Sequence, residues 1–116
     1  MSTIISDVDV LGPANAPEPA EFHLLIDDLK DLGVENVART AADGKRMLVE
    51  NNVSHLYIDH DLGEKESGYD IINWAIENNV LPNWIQIVSY NPVGRINIER
   101  ALKNQGFVQV KGFWIR

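Results

Sequence analysis

The sequence predicts one α/β domain built on a parallel sheet, and three observations carry that prediction. Short apolar runs alternate with segments that bear helix start signals, so strands are separated by helices and pair in parallel through right-handed crossovers. Four of the runs end in polar residues: Ile26 leads into Asp27 and Asp28, Ile58 into Asp59, Val88 into Ser89, and Val110 into Lys111. A length of 116 residues with 45% apolar composition suits one hydrophobic core.

Taken in order, residues 1–21 read as an N-terminal extension and 22–116 as the domain. Thr3 to Leu11 is a candidate strand or strap, and Gly12 to Ala20 holds three of the five prolines, as an extended connector does. Phe22 to Ile26 is the first core strand and Val34 to Arg39 the second. Thr40, with Asp43 three residues on, caps a helix to about Asn51 whose Ala41, Gly44 and Leu48 share a face. Leu56 to Ile58 is the third strand. Ser67 and Asp70 open a helix to about Asn78 with Tyr69, Ile72 and Ile76 on its buried stripe, to which Trp74 is also expected to belong. Ile85 to Val88 is the fourth strand. Asn91-Pro92 starts a helix carrying Ile98, Ala101 and Leu102 that Gly106 stops, and Val108 to Val110 is the fifth strand.

Composition narrows the function. Seventeen acidic against ten basic residues give a net charge of −7, which disfavours duplex DNA and anionic membrane as partners. A small phosphorylated ligand or an RNA end held through a metal stays compatible with it. Without cysteine there is neither a disulfide framework nor a thiol nucleophile. The N-terminal residues carry aspartates where a secretory signal is apolar, and a cytoplasmic location is the expectation.

In open parallel sheets ligands bind beyond the carboxyl ends of the strands, where this chain collects its polar residues. Asp27, Asp28 and Asp59 crowd three negative charges together, and a divalent cation, Mg2+ above all, is the simplest remedy. Histidine is the side chain suited to proton transfer near neutral pH, and His60 offers one here, with Asp61 to orient it or to join the metal. Ser89, Asn91 and Gly94 precede or open a helix, where the amides of Val93 and Gly94 would face a phosphate. Lys111 would pair with a carboxylate or a phosphoryl oxygen. Each reading has a plain rival: solvated strand-end acids, a turn histidine, a capping Asn-Pro, and Lys111-Gly112 as the turn of a hairpin ending in Phe113 to Ile115.

An acidic pair, an aspartate, a serine and a lysine at successive strand ends resemble the receiver domain of two-component signalling over residues 22 to 112. More narrowly, Asp59-His60-Asp61-Leu62-Gly63, Ser67-Gly68-Tyr69-Asp70 and Ser89-Tyr90-Asn91-Pro92 resemble the cyclic-phosphate processing receiver domain. That resemblance implies a five-stranded parallel sheet in flavodoxin-like order, and here the first and fifth helices are reduced or missing. It implies a metal-dependent phosphoesterase acting on an RNA 2′,3′-cyclic end or a cyclic nucleotide, in phage or RNA-repair settings. Asp59, His60 and Asp61 would be catalytic, Asp27, Asp28 and Asp59 would hold the metal, and Ser89, Asn91, Gly94 and Lys111 the phosphate. The alternatives are a phosphoacceptor signalling module using Asp59 and a non-catalytic ligand-binding protein. The chain has Val88 where the family usually has histidine, and Gly112 where an ordinary receiver has proline.

With both helices missing from one side, that sheet face is expected to be half polar. Phe22, Leu24, Ile26, Ile85, Ile87, Val108 and Val110 would point to the core, and His23, His55, Gln86 and Gln109 away from it. The N-terminal segment with Trp84 or Trp114, or a second subunit in a homodimer, would cover that face.

Overall fold

The structure is a computed structural model that describes residues 20–116, so the expectations placed on residues 1–19 lie outside the described residues. Its strands are β1 (His23–Ile26), β2 (Asn36–Ala38), β3 (His55–Ile58), β4 (Trp84–Ile87), β5 (Val108–Val110) and β6 (Phe113–Ile115). Its helices are α1 (Ala41–Glu50), α2 (Gly68–Glu77) and α3 (Pro92–Asn104).

The helices begin where the sequence places their caps. Thr40 Oγ1 accepts from the Asp43 amide at 3.1 Å, and Ser67 and Asp70 form a reciprocal capping box. Asn91 Oδ1 accepts from the Gly94 amide at 3.0 Å, with Pro92 opening α3. The buried stripe of α2 is Gly68, Ile71, Ile72 and Ala75, while Tyr69, Trp74 and Ile76 flank the core half-buried.

The six strands lie in the order β2-β1-β3-β4-β6-β5. Four are parallel, with Ile26 level with Ile58 and Ile58 level with Ile87. The sheet is therefore mixed and six-stranded, which corrects the expected five-stranded parallel one. After β5 the chain turns back through Lys111, at a left-handed φ of 54°, and Gly112, and β6 inserts antiparallel between β4 and β5.

The insertion also changes which residues face the core. Trp114 lies level with Ile85 and Gln109, and it is 3% exposed among the helices. Trp84, Ile115 and Val108 share the opposite face, as do Val110 and Phe113. Val108 and Val110 thus leave the core side expected of them, and Trp114 leaves the open face for the core. The one-residue alternation of a strand allows no intermediate outcome.

Topology explains where the core sits. The crossovers from β2 to β3, β3 to β4 and β4 to β5 all advance in one direction along the sheet, and right-handed connections place their helices on one face. There Leu24, Ile26, Leu56, Ile58, Ile85 and Ile87 meet Leu48, Ile71, Ile72, Ile98 and Leu102. The step from β1 to β2 runs the other way, and residues 27–35 make it without a helix. Among the described residues no helix covers the second face. It carries a band of half-buried rings: His23 stacks on His55 at 4.0 Å, and Trp84 lies 4.8 Å from His55, 5.2 Å from Tyr57 and 5.0 Å from Phe113. A groove of about 410 Å³ beside them is lined by residues that include Leu32, Val34, Tyr57, Gln86 and Val88.

If β6 is an integral central strand, Trp114→Ala should lower stability by about 3–5 kcal/mol in urea denaturation. Val108→Thr, on the exposed edge, should stay within about 0.5 kcal/mol. A near-neutral Trp114→Ala would contradict the inserted hairpin.

Candidate functional site

The parallel ladder brings the acids together by running one residue past the strands. The Asp27 amide donates to the Ala38 carbonyl at 3.1 Å, the Asp59 amide to the Ile26 carbonyl at 3.0 Å, and the Val88 amide to the Ile58 carbonyl at 2.9 Å. Asp27 and Asp59 are thereby held level at the carboxyl rim, with Ser89 one residue beyond. Carboxylate oxygens of Asp27, Asp28 and Asp59 lie within 4.8 Å of one another. Asp27 is fully buried, Asp59 is 7% exposed and Ser89 6%.

Asp27 Oδ1 accepts from the amides of Leu29 and Lys30, at 2.9 and 3.0 Å. Its Oδ2 is buried without a hydrogen-bond partner of good geometry and faces the Lys30 ammonium at 3.1 Å. The same ammonium stands 3.5 Å from Asp59 Oδ2 and 5.2 Å from the centre of the exposed Tyr90 ring. Burial pushes the Asp27 carboxyl up, but the two amides and the Lys30 charge outweigh it and hold the group below the ordinary carboxylate range. The contact with Asp27 raises Lys30 in turn, against the opposing effect of burial. Arg39 fixes this loop by donating to the carbonyls of Lys30 at 2.6 Å and Asp27 at 3.3 Å.

Beside the acids, His60 Nδ1 lies 2.9 Å from Asp61 Oδ1. That hydrogen bond is the main reason the Asp61 carboxyl is held low, ahead of a small opposing effect of burial and the further help of Asn91. Asn91 Nδ2 donates to both Asp61 oxygens at 3.3 Å, so one side chain caps α3 and steadies the His60–Asp61 pair. Three glycines make room. A Cβ at Gly94 would overlap the His60 ring, one at Gly68 would overlap the Asp59 carbonyl oxygen, and one at Gly63 would come within 2.9 Å of Asp28 Oδ2.

Of the residues singled out in the sequence, the fold gathers Asp27, Asp28 and Asp59 in one cluster. His60, Asp61, Asn91 and Gly94 form an adjoining group, to which Ser89 is tied by accepting the Asn91 amide at 3.1 Å. Two expectations change. The Gly94 amide is already engaged by Asn91, so the role of this residue is clearance for the imidazole, and Val93 is the first-turn amide that the cap leaves.

Lys111 sits exposed in the hairpin turn on the sheet's outermost strand, three strand spacings from β3, or about 14 Å laterally. Among the described residues it makes no ion pair with the acids. Its expected place is filled by Lys30, which sequence reasoning missed because it sought the ammonium on the fifth strand. The available signal was a lysine three residues after a strand-end aspartate in a segment too short for a helix. Val88, standing where the family usually has histidine, lines the groove on the open face with Tyr57 and Gln86.

The donor set fits a hard divalent cation. It offers oxygens from three carboxylates, one of them a buried oxygen that no hydrogen bond satisfies. Carboxylate oxygens are the donors that hard divalent cations take, and the Lys30 ammonium balances the acids beside them.

The depressed Asp27 carboxyl stabilises the fold above its unfolded pKa, near 4, and that contribution is lost as pH falls through the lower folded value. Lys30→Met should cost roughly 2–4 kcal/mol at neutral pH by stranding a buried carboxylate. It should also move the onset of acid unfolding to higher pH, read by circular dichroism across a pH series. An unchanged acid limb would show that Lys30 does not hold Asp27.

No curated protein and no solved structure matches the chain. A family model described as the cyclic-phosphate processing receiver domain matches residues 22–104, a span that takes in the three carboxylates, Lys30, the His60–Asp61 pair and the Asn91 cap. The chain belongs to the cyclic-phosphate processing receiver domain family.

Proposed function

We propose that the protein is a phosphoesterase that opens a cyclic phosphate, an RNA 2′,3′-cyclic end or a cyclic nucleotide, with the help of a divalent cation. The observation that carries this reading is the buried Asp27 carboxylate, ion-paired to Lys30 through Oδ2 and grouped with Asp28 and Asp59 beside a hydrogen-bonded His60–Asp61 pair. The family's name supports the substrate class.

Asp27, Asp28 and Asp59 would hold the cation, which when bound neutralises the carboxylates and polarises a phosphoryl oxygen. Asp61 occupies His60 Nδ1, which leaves Nε2 to handle protons. In hydrolysis this nitrogen takes a proton from the attacking water as the water oxygen bonds to phosphorus. One ring P–O bond breaks, and the leaving oxygen receives the proton back from the imidazole, giving a phosphomonoester and a free hydroxyl. Ser89 Oγ accepts the Asn91 amide and keeps its own hydrogen to donate to a phosphate oxygen. The Lys30 ammonium supplies local positive charge on a chain whose net charge is −7.

A phosphoacceptor role for Asp59 draws less support. It gives no task to the His60–Asp61 pair, and Lys111 lies on the far strand instead of beside Asp59.

Incubation of the protein with Mg2+ and a panel of 2′,3′- and 3′,5′-cyclic nucleotides should yield monoesters. His60→Gln should lower turnover by about 100-fold or more while cation binding stays. Gly94→Ala should lower turnover by displacing the imidazole, again without loss of cation binding. No hydrolysis of any substrate, together with addition of one phosphate by a small phosphodonor that Asp59→Asn abolishes, would replace this reading with the phosphoacceptor one.

A further inference from the structure

The three histidines of the chain fall into two groups at opposite rims of the sheet. His60 adjoins the acids at the carboxyl ends of the strands. His23 and His55 are the first residues of β1 and β3, level across the parallel pair, and both face the open side of the sheet. Four residues of β-strand, about 13 Å, separate His23 from Asp27.

Around this pair the side chains are arranged as in a ligand set. The two imidazoles stack nearly parallel, 6° apart, with ring centres at 4.0 Å. His23 Nδ1 lies 3.0 Å from the Tyr57 hydroxyl and His55 Nδ1 lies 2.8 Å from Ser54 Oγ. Each ring therefore has an oriented partner on Nδ1, which leaves Nε2 as the nitrogen turned to a ligand, with the Glu21 carboxylate already beside that of His23. Glu21 Oε1 stands 3.0 Å from His23 Nε2, and one donor atom from each of Glu21, His23 and His55 falls within 4.8 Å of the others. Metal-ligating histidines are ordinarily held in this way, the second nitrogen bonded to a neighbour that sets the ring's tautomer and orientation.

We propose that Glu21, His23 and His55 form a second metal site, distinct from the acidic rim, that takes a zinc-like divalent ion through two imidazoles and one carboxylate. Two nitrogens and one oxygen are a donor set for Zn2+ and not for Mg2+ or Ca2+, which prefer oxygen alone. Ligand atoms around tetrahedral zinc stand roughly 3.4 Å apart, so the set must close by about 1.5 Å. Glu21 Oε1 already stands 3.0 Å from His23 Nε2, so the closing falls to His55, whose ring must also tilt out of the parallel stack for both nitrogens to aim at one ion. The fourth position would be taken by water. The ion would clip the segment before β1 to the start of β3, on the face that carries no helix among the described residues.

The test is a Zn2+ titration of the full chain in excess Mg2+, which keeps the carboxylate rim occupied. It is followed by calorimetry and by nitrogen-edited spectra of the three histidine rings. One equivalent of zinc should shift the Nε2 signals of His23 and His55 and leave those of His60 in place. It should also raise Tm. Glu21→Gln and His55→Asn should each weaken binding by at least about tenfold. Tyr57→Phe, which removes only the hydroxyl that orients His23, should weaken it by about tenfold with the fold unchanged. Glu21 is exposed, so a folded Glu21→Gln protein is available whatever the histidine variants do. Absence of binding, shifts confined to His60, or unchanged affinity in Glu21→Gln and Tyr57→Phe would each overturn the proposal.

Discussion

A carboxylate with no access to water governs this structure. Asp27 ends the central strand β1, between β2 and β3, and its charge persists there because two amides and the Lys30 ammonium meet it. Its Oδ2 has only that ammonium, at 3.1 Å, to offset its burial. Such a group is costly unless something compensates it. Much around it acts as compensation. Residues 27–35 form a tight loop that returns Lys30 over the acids, Arg39 holds that loop by its carbonyls, and Gly63 keeps the approach to Asp28 clear. The site is a product of the same ladder that pairs the strands, since a shift of one residue in β1 against β3 would turn its side chains to the opposite face.

The topology decides what surrounds that carboxylate. Among the described residues, three crossovers in one direction stack the helices on one face, and the single step in the other direction carries no helix. A receiver-like frame is retained on the side of the sheet that aims Asp59, Ser89 and the start of α3. The other side departs from it. The loop that stands in for the first helix supplies the counter-ion, and the chain's end folds back as a hairpin that moves the fifth strand's lysine outward. Charge balance at the rim rests on Lys30 and not on Lys111, and the sheet face without a described helix carries a band of histidine and aromatic rings.

Much of this was legible in the sequence, for local reasons. Thr40, Ser67 and Asn91-Pro92 announce their helices because capping is a short-range hydrogen-bond matter. The apolar runs ending in Asp27, Asp59 and Ser89 announce the rim because parallel sheets align their carboxyl ends. The hairpin was visible only as one of two readings of Lys111-Gly112. The choice between them rests on where Trp114 is buried, a tertiary fact that a three-residue strand cannot disclose. Val108 and Val110 misled for the same reason, since alternation gives two faces without saying which is the core. Lys30 escaped because its role depends on the return path of a loop. The Asn91 bridge to Asp61 escaped because capping explains that asparagine completely by itself.

On the function proposed above, the three crowded carboxylates form a cation site that Lys30 balances. Titration of the isotope-labelled chain with Mg2+, reading side-chain carboxyl carbons and the Lys30 ammonium, tests it most directly. Saturable, concerted shifts of Asp27, Asp28 and Asp59, with the Lys30 signal moving as its contact with Asp27 is relieved, are the predicted result. Shifts confined to exposed acids such as Glu64 and Glu66, with Lys30 still held on Asp27, would contradict it.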